Sequence, residues 1–478
     1  MIRRVRAELK ISRGFLPARA RSAWALLLLM GPGSALHAAP KLDIGSEYRI
    51  RGVQLNNPTY SSEEPIGTQS TFNQDYYSHR ARIYMKGKLD PGIEIASVIQ
   101  AVGVAGSTAA LLNRYPREDF TPFIENAYAR ANEMWGWPVS VTVGRQPFSW
   151  GSGMLVSDDG LGFDGIRLDL GPFWGIRTNF LTAKVSDALV GGNRDLDLAG
   201  LEYDWGIHNI KLGYILETDK TGSQYTSLAA TNPVTADKIK RSFIDMQLSG
   251  RFEQGAFYRA EYAMQGGKVN LRSPLARDQA VKDITLSGSA LTFEGGFDFI
   301  HPRYRRMVLA FVFMQGSGDA SSSLDKDERF LPSHGRRHDG LEPLGAGEFF
   351  GATPYSFFNE DRVVVSNPVS GGGLQSFPYR VLFSGLRTFG FRGSVNPLEG
   401  LVAGLEFYLY TAREIPDIRQ GAPTTITENA LGRELVISFN YTYSKRIQFG
   451  LKWGKFFASQ ALNDKGSSRL TFEAAGRF

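Results

Sequence analysis

The stretch YYSHRARIYMKGKLD, residues 76–90, decides the fold, because apolar and basic side chains alternate along it. The apolar phase holds Tyr77, Ala81, Ile83, Met85 and Leu89, and the basic phase holds Arg80, Arg82, Lys86 and Lys88. A period of two places alternate residues on opposite faces of a β-strand. The sequence therefore predicts a strand with one face against an apolar environment and the other against water.

The same alternation recurs in residues 241–248, 258–265, 291–299, 401–410 and 434–441. A soluble β-sandwich alternates in the same way, so the links between the segments decide between the two folds. Short links at 90–92, 171–172, 205–208, 301–303 and 444–445 alternate with long polar links at 56–75, 103–121, 218–237, 316–378 and 412–429. We therefore predict an all-β transmembrane antiparallel up-and-down β-barrel of about eighteen strands, with sixteen as the alternative.

The organisation of the chain follows from its amino terminus and its longest link. Residues 1–39 have the order of a secretory signal peptide, with basic residues, the apolar run 23–30 and then small residues. We expect residues 40–478 to form the barrel, with both ends at the periplasmic rim. No apolar run approaches the ~20 residues that a spanning helix needs. The link 316–378 is predicted to be an extracellular loop that folds partly into the lumen, because it carries Phe330, Phe349, Phe350, Phe357 and Phe358.

Charge and cysteine content exclude several classes of function. The chain has 54 basic and 48 acidic residues, a formal net charge of +6. The predicted leader holds seven of the basic residues and one acid, Glu8, so 47 of each remain in the mature chain. Such a balance gives no basic footprint for nucleic acid. The absence of cysteine excludes disulfides, thiolate metal sites and cysteine nucleophiles.

Several residues have an expected place relative to the membrane. Phe478 ends an alternating segment, 469–478, and so resembles the assembly signal of outer-membrane proteins. Arg145 and Arg387 share the phase of apolar neighbours, so bulges at Gly144 and Gly385, or a position near the rim, must keep them out of lipid. The tryptophans expected at the headgroup level are Trp135, Trp137, Trp150, Trp174, Trp205 and Trp453.

Three motifs that could carry chemistry have a plainer interpretation. Residues 160–165, GLGFDG, match G-x-G-x-x-G, but a predicted strand follows where a dinucleotide site needs a helix. His334, His338, Asp339 and Glu342 could form a metal cluster, but no predicted helix sets their spacing. A barrel-embedded hydrolase would need a serine and a histidine held together on the wall, and pairing across strands is left open. We expect no catalytic residue, no metal and no cofactor.

Two patches of the sequence, residues 143–168 and residues 431–457, carry motifs that resemble those of the alginate-export family of outer-membrane barrels. The first, residues 143–168, contains GRQ at a strand end, a glycine-containing loop and FDGIRL. The second combines LGRELVISFNY at 431–441 with FGLKWGKFF at 449–457, which look like closing strands of that family. The resemblance implies a barrel of about eighteen strands and, in the alginate exporters, a lumen lined with many basic residues. This sequence departs from that lining, because acids such as Asp169, Glu202 and Glu294 share the predicted lumen.

These observations favour a channel in the cell outer membrane, not an enzyme, that passes a small hydrophilic or anionic solute. The residues predicted to line its pore are Arg80, Arg82, Lys86, Lys88, Arg167, Asp169, Arg177, Arg259, Glu261 and Glu406. The expected partners are outer-membrane lipid, the solute and the barrel assembly machinery, with no nucleic acid. The alternatives are a barrel-embedded hydrolase, which needs the serine–histidine pair, and a surface receptor or adhesin, which would have an occluded lumen.

Overall fold

A computed structural model describes the chain from residue 41 onward. Within that range it leaves out 57–72, 91, 107–118, 159, 188–192, 221–223, 226–233, 272–282, 303–304, 320–324, 336–337, 340–341, 344–383, 415–428 and 460–465. The predicted signal peptide, residues 1–39, lies outside the described residues. So do Phe349, Phe350, Phe357 and Phe358 of the predicted lumen loop.

Eighteen strands form the main sheet. They are β1 (Lys41–Asn56), β2 (Asn73–Asp90), β3 (Ile93–Gly106), β4 (Asp119–Ala131), β5 (Val139–Gln146), β6 (Phe163–Phe173), β7 (Ile176–Asp187), β8 (Asn193–Trp205), β9 (His208–Asp219), β10 (Val234–Arg251), β11 (Ala256–Leu271), β12 (Asp283–His301), β13 (Arg305–Gly316), β14 (Ser384–Leu398), β15 (Leu401–Glu414), β16 (Ala430–Thr442), β17 (Ile447–Ala458) and β18 (Ser467–Arg477).

The sheet closes on itself. Each strand pairs antiparallel with the next, and β1 pairs with both β2 and β18. We call the pairing of β1 with β18 the seam. There the terminal residue continues the backbone hydrogen-bond ladder, because Ser46 N donates to Phe478 O at 2.9 Å and Phe478 N donates to Ser46 O at 2.8 Å. Closure leaves no unpaired edge in the membrane. The predicted antiparallel barrel is confirmed with eighteen strands, and the alternative of sixteen is wrong.

Most short and long connections alternate around the barrel as predicted, but the predicted short link 171–172 lies within β6, and the link 188–192, at the end of the barrel with the long links, has only five residues. The turn between β6 and β7 is Trp174–Gly175, and the turn between β8 and β9 is Gly206–Ile207. The longer link between β4 and β5 on the same rim contains a 3₁₀ turn, Met134–Gly136. We call this end the short-turn rim and the opposite end the loop rim. β1 begins and β18 ends at the short-turn rim.

The outer surface of the barrel is apolar. Ile83, Tyr214, Ile244 and Phe472 are each close to half exposed although they are large hydrophobic residues in mid-strand, and every strand contributes others. A water-soluble protein rarely exposes so continuous an apolar area. This outer apolar surface therefore faces lipid. The alternation in residues 76–90 reflects the two environments of the barrel wall, lipid outside and the lumen inside.

The structure shows why two arginines, Arg145 and Arg387, do not fit the alternation of inward and outward residues. Arg145 lies one residue from the end of β5, where its Nε donates to Leu161 O at 2.9 Å. Arg387 lies near the start of β14 and donates to Gln315 Oε1 at 2.8 Å. Both arginines are therefore at the loop rim. Gly144 and Gly385 beside them have positive φ, 118° and 67°.

Four tryptophans lie where the membrane-interface prediction places them. Trp135, Trp137, Trp174 and Trp205 are exposed at the short-turn rim, whereas Trp453 lies in mid-strand on the outer face of β17. Trp150 contradicts the prediction, because it is 3% exposed and lies inside the barrel. No helix among the described residues is long and apolar enough to cross a bilayer.

Candidate functional site

The ten residues predicted to line the pore all lie in the strand phase opposite to the lipid-exposed one. Glu261 on β11, for example, alternates with the outward Tyr262 and Met264. The ten do not form one cluster, since they are spread over β2, β6, β7, β11 and β15. Arg167 Nε lies 3.0 Å from Asp169 Oδ2, whereas Arg177 pairs with Asp204 at 2.8 Å. Arg80 and Glu261 are buried, and Lys86 and Lys88 are exposed.

The described part of the connection between β5 and β6, residues 147–158 and 160–162, folds inward, and we call it inner segment A. Its two-residue strands Ser149–Trp150 and Val156–Ser157 pair with each other. Gly153 N donates to Trp150 O at 2.9 Å and so closes the turn between them. The side chains of Met154 and Leu155 at this turn are buried. Inner segment A is therefore a small ordered hairpin inside the barrel.

Trp150 fixes inner segment A to the wall. Gly200 of β8 and Gly213 of β9 are directly paired, and a Cβ at either would come closer to the indole than the 3.0 Å limit of real Cβ contacts. The pair thus forms a slot that the ring fills. An aromatic side chain buries about 150–250 Å², which at about 25 cal/mol per Å² stabilises the docked segment by roughly 4–6 kcal/mol.

Two buried acids hold the polar groups of the same segment. Asp245 Oδ2 of β10 accepts a hydrogen bond from Trp150 Nε1 at 3.0 Å. Glu261 Oε2 of β11 accepts one from Ser152 N at 2.9 Å. Both acids are at most 1% exposed. Because a buried donor without a partner costs about 1–3 kcal/mol, these acceptors fix where the hairpin can lie.

Residues 325–335, which follow β13, also fold inward, and we call them inner segment B. Lys326–Asp327 pairs in parallel with Thr285–Leu286 of β12. Phe330 is fully buried and meets the ring of Phe243 edge-on, with centroids 6.4 Å apart. The described part of the predicted lumen loop therefore lies against the inner wall.

A buried ionic network holds inner segment B. Arg241 Nη1 donates to Leu331 O at 2.9 Å, and its Nη2 donates to Glu217 Oε2 at 2.8 Å. Ser333 Oγ donates to the same carboxylate at 2.5 Å, and Gln265 Oε1 accepts from Leu331 N at 2.8 Å. Charge-assisted hydrogen bonds of this kind are about twice as strong as neutral ones.

The two inner segments contact each other. Val156 and His334 form a parallel β-bridge, in which Ser157 N donates to His334 O at 2.6 Å and His334 N donates to Leu155 O at 2.8 Å. Both segments pack against the inner face of β8–β12, which we call the docking wall. Residues 160–162 of inner segment A also reach β3, where Gln100 Nε2 donates to Gly160 O at 3.4 Å. Together the two segments occupy part of the lumen.

The inner face of β18 and β1–β4 is different, and we call it the basic wall. Arg80 Nη2 lies 2.8 Å from Glu47 Oε1, Arg82 Nε lies 2.9 Å from Glu125 Oε2, and Arg51 pairs with Glu473. Bases still outnumber acids among its described side chains. The bases are Lys41, Arg49, Arg51, Arg80, Arg82, Lys86, Lys88, Arg130, Arg469 and Arg477, and the acids are Asp43, Glu47, Glu94, Glu125 and Glu473.

The balance reverses on the docking wall. Its described inward acids are Glu202, Asp204, Glu217, Asp219, Asp245, Glu261, Glu294 and Asp298, and its bases are Arg194, Lys211, Arg241, Arg251 and Arg259. Among the described inward side chains, bases therefore predominate on the basic wall and acidic residues predominate on the docking wall. Clefts between low-dielectric walls focus such fields on passing ions.

The motifs considered for chemistry have structural positions that do not support catalysis. Residues 160–165 run from inner segment A into β6, so a strand stands where a nucleotide site needs a helix. Ser333 Oγ lies 2.9 Å from His334 Nδ1, but its proton is donated to Glu217 and not to the imidazole. A nucleophilic serine needs the histidine as its base. Among the described side chains no group of three or more histidines, cysteines, aspartates or glutamates could hold a metal. The side chains of His338, Asp339 and Glu342 lie outside those described.

The sequence did not reveal inner segment A as a functional element. Its signal is a run of apolar residues, Met154 to Val156, among glycines in a connection at the loop rim. A solvated loop does not need such residues. Their irregular spacing hid the hairpin, and Trp150 was assigned to the membrane interface instead.

Comparison with known proteins shows which solved structures share this fold. No protein-family model and no curated protein sequence matches this chain. Solved structures do match, and those similar to it include OccAB1 of Acinetobacter baumannii, with a TM-score of 0.52 and 11% identity over 91% of this chain and 96% of that one. The chain has the fold of outer-membrane porins. OpdO of Pseudomonas aeruginosa gives a TM-score of 0.51 at 11% identity, covering 92% and 97% of the two chains. A BenF-like porin of Pseudomonas fluorescens Pf-5 gives 0.50 at 12%, covering 92% and 99%.

These matches bear on the predictions at the level of the fold. A porin-type barrel and the expected outer-membrane location agree with them. The alginate-export family is not shown by any of these comparisons.

Proposed function

We propose that this chain is an outer-membrane channel that passes small hydrophilic solutes and favours anions. The observation that carries the proposal is the constriction built from inner segments A and B. A barrel of this size holds an aqueous lumen, and here two ordered segments packed against the docking wall narrow it without catalytic geometry. The base excess of the opposite wall supports the preference for anions.

The alternative functions, a hydrolase, an adhesin or receptor, and an alginate exporter, would each require a different barrel interior. A barrel-embedded hydrolase would need a serine activated by histidine, and the Ser333 proton is committed to Glu217. An adhesin or receptor would conduct no ions. Alginate export, the finer assignment suggested by residues 143–168, would favour a lumen lined mainly by bases. The acid excess of the docking wall is unlike that lining.

Ion conductance tests the proposal. Refolded protein in a planar bilayer should insert in discrete steps, each with the same conductance. In a salt gradient the reversal potential should show a modest anion preference that fades as salt rises, since charges are screened over about 8–10 Å at physiological salt. Folded protein that inserts but never conducts would contradict the channel. A conducting channel without anion preference would contradict only the charge argument.

A further inference from the structure

We propose that Trp150 sets the aperture of the channel, by holding inner segment A in the slot formed by Gly200 and Gly213. This inference rests on the proposed function and adds the residue that determines its size limit. It makes Trp150 a positioning residue, because the indole is buried in the wall at 3% exposure and acts through the segment it holds.

The slot is specific in shape. Gly200 and Gly213 stand opposite each other on β8 and β9 without positive φ, so any residue would suit their backbone conformation. What requires glycine is the ring, since a Cβ at Gly213 would lie 2.5 Å from the indole Nε1. Substituting alanine at either glycine therefore expels the indole while leaving the strand itself unstrained.

The slot is also specific in polarity. Asp245 accepts from the indole N–H at 3.0 Å, and Lys211 Nζ lies 5.9 Å from the ring centroid. Phenylalanine would fill much of the slot but would leave Asp245 without that donor. The two interactions predict a graded series in which Trp150→Phe loosens the segment and Trp150→Ala releases it.

Release would extend beyond inner segment A. Val156 is fully buried and bridges to His334 of inner segment B. Withdrawal of the indole removes the attachment of the hairpin on which this bridge depends. Loss of the aromatic contact therefore weakens the bridge to inner segment B, while the network around Arg241 still fixes that segment to the wall.

Thiol labelling and conductance test the proposal together. The natural chain has no cysteine, so Val156→Cys provides a single thiol that is buried while the segments stay docked. We expect a water-soluble maleimide to label this thiol slowly in the otherwise unchanged protein and rapidly beside Gly200→Ala, Gly213→Ala or Trp150→Ala. When the same three substitutions are made in the natural chain, single-channel conductance should rise about twofold, because the water-filled cross-section of the lumen widens. Liposomes that contain these variants should also take up larger sugars than liposomes that contain the parent.

Gly87→Ala is the matched control, because it also adds a methyl group to a barrel strand but meets nothing closer than 4.0 Å. It should match the parent in labelling and conductance. Rapid labelling in the parent background, or slow labelling and unchanged conductance in folded Trp150→Ala, would overturn the proposal. If a glycine variant fails to fold, the Trp150 variants decide, since they add no atoms to the wall. A parent that never conducts would reject the proposed channel, whereas the labelling result would still decide whether Trp150 holds the segment.

Discussion

The docking wall and the basic wall stabilise the same barrel by different means. On the docking wall, backbone segments are fixed by an aromatic ring in a glycine slot and by buried acceptors. On the basic wall, side chains such as Arg80 and Arg82 are held by neighbouring carboxylates, at 2.8 and 2.9 Å. The first arrangement fixes a shape, and the second fixes a distribution of charge. Under the proposed function, size selection and charge selection are thus separable properties of this lumen.

Arg241→Ala should break the docking wall and give the largest effect. Its removal breaks the buried ion pair with Glu217, which then keeps the longer pair with Arg194 at 3.9 Å, and breaking a buried pair costs about 3–5 kcal/mol. Inner segment B also loses the hydrogen bond to Leu331 O. The temperature at which the folded barrel unfolds, followed by its change in gel mobility, should fall, and conductance should become larger and noisier.

Arg177→Ala is the matched control for that change. Arg177 also pairs across strands, with Asp204, but both side chains are over two-fifths exposed. Exposed pairs contribute about 0–1 kcal/mol. An equal loss of stability in the two variants would show that inner segment B does not depend on the buried network.

Removal of Phe478 should affect the seam, where the basic wall closes between β18 and β1. The terminal residue makes two backbone hydrogen bonds with Ser46, at 2.8 and 2.9 Å. We expect less protein in the outer membrane but normal conductance from the molecules that assemble. Phe472→Ala, on the outer face of the same strand, is the control for loss of an aromatic ring. Normal membrane levels after removal of Phe478 would count against its role in assembly.

The double variant Arg80→Gln, Arg82→Gln should break the basic wall with the smallest effect on structure. Glutamine keeps hydrogen-bonding capacity, while Glu125 loses its pair with Arg82 and Glu47 keeps its pair with Arg477 at 3.2 Å. The reversal potential in a salt gradient should shift toward cations, and the shift should shrink at high salt. Single-channel conductance at high salt should stay close to that of the parent. An unchanged reversal potential would show that this wall does not control permeation.

The barrel could be predicted from the sequence because lipid imposes a strict pattern on every strand. Ile83 and Arg82 must face different solvents, so their phases identify the inner and outer faces. The same phases give the inward set, from Arg80 to Glu406. Arg145 and Arg387 depart from the pattern because both lie at the loop rim. The wall there is outside the hydrocarbon layer, so a charged side chain in the outward phase is tolerated.

Phe330 in the link 316–378 predicted the inner segment B part of the constriction, but inner segment A could not be predicted, because no period applies to it. Trp150 is an aromatic residue near a strand end, which is equally typical of a membrane-interface anchor. Its true partners, Gly200 and Gly213, are 50 and 63 residues away in the chain. Their relation depends on the register between β8 and β9, and a single sequence does not reveal which glycines stand opposite each other.

The position of the constriction along the chain has a consequence for biogenesis. Inner segments A and B and the wall residues described as binding them lie between residues 100 and 335, in the run from β3 to the connection after β13. An open sheet of these strands already contains each contact described for the docked segments. The docking contacts described above therefore involve neither β14–β18 nor the seam, so a closed barrel is not a precondition of those contacts.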